Sequence, residues 1–97
     1  MTKAYWIVRV SVKNAERYAE YLAAARPAFE KFAARFLVRG GHFEMMEGRS
    51  RERNVVVEFK DYTTAVACYR SPEYQAAKAI RNAIADTDFI IVEGAAA

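Results

Sequence analysis

Residues 5–12 constrain the fold more than any other segment, because their two alternating sets of side chains differ in character. Side chains along a β-strand alternate between the two faces of a sheet. One set is wholly apolar: Trp6, Val8, Val10 and Val12. The other set is mixed: Tyr5, Ile7, Arg9 and Ser11. The pattern predicts a strand whose apolar face is covered by helices and whose mixed face needs another explanation.

A long helix is predicted to follow, with Asn14 as its N-cap. Apolar residues then recur at spacings of three and four and share one stripe: Ala15, Tyr18, Leu22, Ala25, Phe29 and Phe32. Pro27 lies inside this pattern, where it removes a backbone donor and clashes with the carbonyl four residues earlier. We therefore expect one helix with a kink near residues 23–27.

The middle of the chain predicts two strands. Residues 36–39 form the first, and Gly40-Gly41 marks a bulge or bend before residues 43–47 resume extended structure. The basic stretch 49–53 is predicted to be a solvated hairpin loop. Residues 54–59 are almost all β-branched, with Glu58 as the only charge, which is typical of an interior strand.

The last third of the chain predicts two short helices and a strand. Asp61 is expected to cap a helix over residues 62–69. Ser71 is expected to cap the next, with Pro72 in its first position and Glu73 favourable to the helix dipole. This helix should continue to about residue 85 with Ala77, Ile80 and Ile84 facing inward. Residues 86–88 should break it, and residues 89–93 form the final strand.

Two β-α-β halves joined by a hairpin predict one α+β domain over residues 1–97, a ferredoxin-like β-α-β-β-α-β sandwich with an antiparallel sheet. Its first and third strands are central, and its helices cover one face. The opposite face, which bears Ile7 and Arg9, then stays bare unless a second sheet meets it. With 54% hydrophobic residues in a short chain, we predict a homodimer packed through its sheet faces.

Several classes of partner are disfavoured by the sequence. Cys68 is the single cysteine, and no His/Cys spacing or phosphate loop indicates a metal or another cofactor. Because a single cysteine cannot form an internal disulfide, we expect a reducing, cytoplasmic setting. No apolar run is long enough to span a membrane, so no membrane partner is predicted. The net charge of +3 is spread along the chain. Residues 53–59 lack the Gly-rich, doubly aromatic pattern of RNA-recognition domains, so no nucleic-acid partner is predicted.

Five blocks of the sequence resemble, in order and spacing, the uncharacterised bacterial family named domain of unknown function 1330: residues 18–21, 35–41, 46–48, 57–59 and 69–75. The resemblance covers nearly the whole chain and implies a ferredoxin-like, dimeric α/β barrel. It supplies no mechanism, because the family's role is unsettled. One departure is Ala33-Ala34, which stands where the family usually has Gly-Gly and is expected to extend the first helix.

Arg9 and Glu58 lie on neighbouring central strands. If their register places them on one face, they either line a pocket between two sheets or form a structural ion pair at the dimer interface. The ion pair is the favoured interpretation.

Tyr69 and Tyr74 flank the Ser71 cap, where a helix N-terminus favours an anion and Arg70 and Arg81 add positive charge. The alternative is that the tyrosines pack as hydrophobic lids and the arginines solvate a helix face. The matching family block favours a site.

His42 is the only histidine, and without a recognisable carboxylate partner it is expected to be an ordinary surface residue. Cys68 is expected to pack as a small hydrophobic residue, because no cationic neighbour is present to lower its pKa.

The leading functional prediction is a pocket that binds, or acts without a cofactor on, a small anionic or carboxylated organic molecule. Its predicted lining is Arg9, Arg39, Glu58, Tyr69, Tyr74 and Arg81. The alternative is a non-catalytic homodimeric module in which the polar residues fix the geometry of the dimer.

Overall fold

The computed structural model describes residues 2–96, so Met1 and Ala97, at the ends of the predicted domain, lie outside it. The elements follow in the order β1 (Ala4–Val12), α1 (Ala15–Lys31), β2 (Arg35–Arg39), β3 (Arg53–Phe59), α2 (Tyr62–Arg70), α3 (Pro72–Ile84) and β4 (Ala85–Glu93). All neighbouring strands are antiparallel, in the order β2-β3-β1-β4. The predicted ferredoxin-like α+β fold is confirmed, with β1 and β3 at the centre.

Trp6 on β1 is the centre of the core between sheet and helices. Its side chain is 1% exposed, and its indole nitrogen donates a hydrogen bond of 2.9 Å to the backbone oxygen of Ala65. Five aromatic rings have centroids 4.8–6.2 Å from its own: Phe29, Phe59, Tyr69, Tyr74 and Phe89. Val8 and Val10 are buried on the same face. The prediction that helices cover this face is therefore confirmed.

The three predicted N-caps begin the three helices of the described chain. Each cap side chain accepts a hydrogen bond from the backbone N–H three residues later, at 3.1 Å for Asn14, 2.8 Å for Asp61 and 3.2 Å for Ser71. These bonds satisfy amide groups that a helix start leaves without partners. On α3 the buried face comprises Tyr74, Ala77, Arg81 and Ile84.

The expectation that Ala33-Ala34 extends α1 is wrong. The helix runs through Pro27 and ends at Lys31. Ala33 takes a left-handed conformation with φ of 52°, and the Ala34 N–H returns to the Phe29 oxygen at 2.9 Å. This backbone arrangement closes a helix C-terminus and usually has glycine at the left-handed position. The two alanines therefore terminate the helix.

Two further sequence expectations fail at element boundaries. Residues 43–47 do not form a strand: Gly40, with φ of 68°, turns the chain out of the sheet, and the bulge lies between Phe36 and Val38. Residues 86–88 belong to β4, because Asp86 and Asp88 pair in register with β1. Pairing with a central strand outweighs the low strand propensity of aspartate.

The face of the sheet opposite the helices is uncovered within the described chain. It presents apolar side chains that are 39–58% exposed: Val38, Ile90 and Val92. We call this surface the bare face. No helix among residues 2–96 has the length and apolar character needed to cross a membrane.

Candidate functional site

The six predicted site residues lie on opposite sides of the sheet. Arg9 and Glu58 are on the bare face. Tyr69, Tyr74 and Arg81 lie between the helices and the sheet. Arg39 is on the helix side of β2, opposite the buried Val55, with its guanidinium 4.1 Å from the centroid of the Phe36 ring. The six therefore do not form one pocket within a protomer.

Arg9 and Glu58 share the bare face without pairing. Glu58 stands opposite Tyr5 in the register, and Arg9 stands opposite Asn54. Four residues of strand separate the two positions, or about 13 Å. The Glu58 carboxylate instead accepts hydrogen bonds from Lys3 Nζ at 3.2 Å and the Tyr5 hydroxyl at 3.4 Å. The expected ion pair between Arg9 and Glu58 is therefore not formed within the chain.

Arg81 is a buried cation held by tyrosines. It is 3% exposed, and its Nη1 donates a hydrogen bond to the hydroxyl of Tyr74, which is fully buried. The Tyr74 and Tyr21 hydroxyls are hydrogen-bonded at 2.8 Å. Arg81 Nε has no partner, and none of the ion pairs among residues 2–96 includes Arg81. A guanidinium thus lies in the core with phenols as its polar partners.

The positions of these side chains follow from two helical stripes. Tyr74 and Arg81 share the buried face of α3, and Tyr21 is on the buried face of α1, which packs beside α3. Burial raises the pKa of Tyr74, and the neighbouring Tyr21 raises it further despite the opposing effect of Arg81. Tyr74 is therefore a neutral phenol at physiological pH, able to donate and accept hydrogen bonds.

A small cavity lies between α1 and the sheet, next to Tyr21. Its volume is about 20 Å³, enough for about one water molecule. The polar part of its wall consists of Tyr18, Tyr21 and Arg53. The rest is apolar and includes Trp6, Val8, Leu22, Phe29, Phe36, Val55, Val57 and Phe89. We call this cavity and the Arg81 network beside it the cleft.

Arg53 forms the polar edge of the cleft. Its guanidinium lies 5.2 Å from the centroid of the Tyr18 ring, and its Nε is buried without a hydrogen-bond partner. The side chain packs over Gly40, where an added Cβ would meet Arg53 Nη1 at 2.5 Å. Burial raises the pKa of Tyr18, so this phenol is also neutral at physiological pH. Arg53 is therefore the cation that lines the cavity, whereas Arg81 lies beside it, behind Tyr21 and Tyr74.

A family model confirms the family that the five sequence blocks indicate. The model of the family described as domain of unknown function (DUF1330) matches residues 3–95. The chain belongs to this family. Among the curated proteins, none matches this DUF1330 chain.

Solved structures resemble the DUF1330 chain over almost its whole length. A protein of unknown function from Rhodopseudomonas palustris is 20% identical, with a TM-score of 0.79 over 99% of this chain and 85% of its own. A dimeric ferredoxin-like protein of unknown function from Jannaschia sp. CCS1 is 16% identical, with a TM-score of 0.70 over 95% and 99% of the two chains. SnoaB, a cofactor-independent oxygenase from Streptomyces nogalater, is 11% identical, with a TM-score of 0.64 over 100% and 97%. At these identities the likeness shows the fold.

The cleft offers hydrogen-bond donors and positive charge. Its polar groups are the guanidinium groups of Arg53 and Arg81 and the phenols of Tyr18, Tyr21 and Tyr74. Neither a carboxylate nor an imidazole lines the cavity. This set suits an oxyanion held in apolar surroundings. It contains no group that acts as a general base near neutral pH.

Sequence reasoning found Tyr74 and Arg81 but missed three residues of the cleft. Tyr18 and Tyr21 belong to the first of the family-like blocks, which was the available signal. Arg53 was placed in a solvated loop, whereas it starts β3 and turns its side chain toward α1. Its position opposite Val10, an inward residue of β1, explains this direction.

Two other candidates lie away from the cleft. His42 is exposed in the loop between β2 and β3. Cys68 is fully buried, as predicted, and burial raises the pKa of its thiol to about 12. Neither side chain lines the cavity.

Proposed function

We propose that this DUF1330 protein binds a small, largely apolar organic acid in the cleft, with Arg81 as the counter-charge. The observation that carries the proposal is the burial of Arg81 at 3% exposure with phenols as its polar partners. A buried cation without a carboxylate is costly, by several kcal/mol. An oxyanion of a ligand would offset that cost.

The lining supports an apolar or aromatic body for the ligand. The side chains of Trp6, Phe29, Phe36 and Phe89 surround the cavity, and such rings stack favourably on an aromatic ligand. The volume of about 20 Å³ is too small for such a ligand. Binding therefore requires side chains at the edge to move, and the half-buried Arg53 and Leu22 are the candidates.

The narrower form of this proposal is cofactor-free chemistry on the bound acid. Tyr21, which lines the cavity, can donate a hydrogen bond to a ligand oxygen while its hydroxyl accepts one from Tyr74. The cleft contributes no base, so any reaction would depend on the ligand's own acidity or reactivity. The fold of SnoaB, described as a cofactor-independent oxygenase, is similar.

Titration calorimetry with benzoate and phenylacetate tests the proposal. We expect at least one of these acids to bind the wild-type protein, and Arg81→Met to weaken that binding by at least about tenfold. Arg26→Met, which removes an exposed arginine of α1, is the matched control and should bind as the wild type does. Equal binding by Arg81→Met, or no binding of either acid, would count against the proposal.

The second candidate function is a homodimeric module. It is supported by the exposed apolar side chains of the bare face, Ile90 being 58% exposed, and by dimeric neighbours of the same fold. In sedimentation velocity we expect a wild-type dimer and a monomer for Ile90→Lys. Ala19→Lys, a charge added to the exposed face of α1, should remain dimeric. A dimer that forms without any organic acid binding would favour this module over the ligand site.

A further inference from the structure

Arg9 lies on the bare face beside the carboxylate of Asp88, which is already paired with Arg51. Asp88 on β4 is its cross-strand neighbour. The Arg51 side chain comes from the loop before β3 and bonds to Asp88 Oδ2 at 2.9 Å and to Ser11 Oγ at 3.0 Å. The ion pairs of residues 2–96 include neither Arg9 nor Arg49. Two guanidinium groups therefore remain without a carboxylate in this region.

The loop carrying Arg49 and Arg51 is anchored to the end of β1. Hydrogen bonds from its own backbone N–H and from that of Val12 lower the pKa of the Glu52 carboxylate. The Val12 N–H lies 3.0 Å from Glu52 Oε1. The Ser50 hydroxyl donates to the Arg51 backbone oxygen at 2.9 Å. These bonds hold the basic loop against the bare face.

Two adjoining depressions on the bare face form a groove whose ends differ in polarity. One depression, of about 190 Å³, is lined by Ile7, Arg9, Asp88 and Ile90. The other, of about 300 Å³, is lined by Arg9, Ser11, Arg49, Ser50, Arg51 and Asp88. Arg9 and Asp88 belong to both, so the depressions are continuous. The groove is apolar at the isoleucines and cationic at the loop.

We propose that this groove binds an amphiphilic organic carboxylate, a second ligand site independent of the cleft. The carboxylate lies between Arg9 and Arg49, and the apolar body lies along Ile7 and Ile90. The lining supports this assignment, because its one carboxylate, Asp88, is paired with Arg51, which leaves the guanidinium groups of Arg9 and Arg49 without an ion pair. Guanidinium groups bind carboxylates with two parallel hydrogen bonds, which favours this headgroup.

Burial of the bare face in a dimer would favour a bound anion beside Arg9 and Arg49. A second copy packed on this face would roof the groove and remove water from Arg9 and Arg49. Desolvating unpaired charges is costly, whereas a bound carboxylate gives each guanidinium a partner. The same burial would cover the apolar body of the ligand.

Titration calorimetry with octanoate, butanoate and inorganic phosphate tests the groove. We expect octanoate to bind the wild-type protein at least about tenfold more tightly than butanoate, because four more methylene groups are buried. Phosphate, which has the charge without the body, should bind at least about tenfold more weakly than octanoate. Equal affinities of octanoate and butanoate, or tighter binding of phosphate, would overturn the amphiphile assignment.

Single arginine substitutions test where octanoate binds. Arg9→Met should weaken octanoate binding by at least about tenfold. Arg26→Met should leave octanoate binding unchanged, because Arg26 is exposed on α1 and lies outside the groove. Octanoate binding that is unaffected by Arg9→Met would refute the groove site. No octanoate binding by the wild-type protein would refute it as well.

Discussion

Arg81 and Tyr74 are seven residues apart on one face of α3, and the guanidinium donates a hydrogen bond to the phenol inside the layer between helices and sheet. The same phenol bonds to Tyr21 of α1 at 2.8 Å. One polar network thus joins the two long helices and supplies the polar centre of the cleft. Because the network is buried, changes to it should affect the stability of the fold.

Tyr74→Phe should destabilise the fold by about 1–3 kcal/mol, because it leaves Arg81 Nη1 without its acceptor in a buried position. Chemical denaturation followed by the fluorescence of Trp6 measures this change. Tyr69→Phe is the matched control: its ring stacks 5.6 Å from that of Tyr74, but its hydroxyl is outside the Arg81 network. Equal losses in the two variants would show that the network is not the cause.

Ala33→Gly should stabilise the protein by about 1 kcal/mol. Alanine at this position has φ of 52°, where a Cβ costs about 1–2 kcal/mol and glycine avoids that cost, offset in part by its greater freedom in the unfolded chain. Ala23→Gly, an exposed position inside α1, should instead destabilise by about 1 kcal/mol. Thermal denaturation of both variants checks the two signs. A loss of stability in Ala33→Gly would contradict the role of Ala33 in ending α1.

Gly40→Ala should lower stability by about 1–2 kcal/mol and move Arg53. Gly40 has φ of 68°, and a Cβ there would lie 2.5 Å from Arg53 Nη1. Because Arg53 lines the cleft, the affinity for an organic acid should also change. Gly41→Ala is the control, since a Cβ at Gly41 would meet no atom within 4 Å. Unchanged unfolding curves for both variants would contradict the left-handed backbone conformation of Gly40.

Stability should fall as the pH rises from about 9 to about 12. Burial raises the pKa of Cys68 to about 12 from its ordinary 9.0. Between these values the unfolded thiol loses its proton while the folded one keeps it, so the free energy of unfolding decreases with pH. Burial of Tyr74 raises its pKa and acts in the same direction above pH 10.

Urea denaturation across pH 8–12 measures this dependence. Cys68→Ala should reduce the slope by up to about 1.4 kcal/mol per pH unit, the contribution of one proton. Below pH 9 the wild-type protein and the variant should show parallel curves. Parallel curves up to pH 12 would mean that Cys68 does not titrate differently on folding.

Local sequence determined the start of each helix and the inward face of β1. Asn14, Asp61 and Ser71 cap helices because each side chain reaches an amide three residues later, a contact that needs no other part of the chain. The alternation of residues 5–12 likewise fixed which face the helices cover. Together with the order of elements, this was sufficient to predict the ferredoxin-like fold.

The location of the candidate sites required tertiary structure. The sequence placed Arg9 and Glu58 on neighbouring strands, but strand register separates them by about 13 Å. Arg53 was assigned to a solvated loop because no local rule shows that its strand position lies opposite Val10 and under α1. Asp86 and Asp88 belong to β4 despite the low strand propensity of aspartate, because they pair with residues of β1.

What the sequence by itself determined was therefore the elements, their order and the apolar face of β1, since these depend on contacts within a few residues. Only the tertiary structure decided which polar groups meet. In the cleft, Tyr21 contacts Tyr74, which lies 53 residues further along the chain, and Arg81 bonds to the same tyrosine. Such contacts depend on register and helix packing, which are set by the whole core.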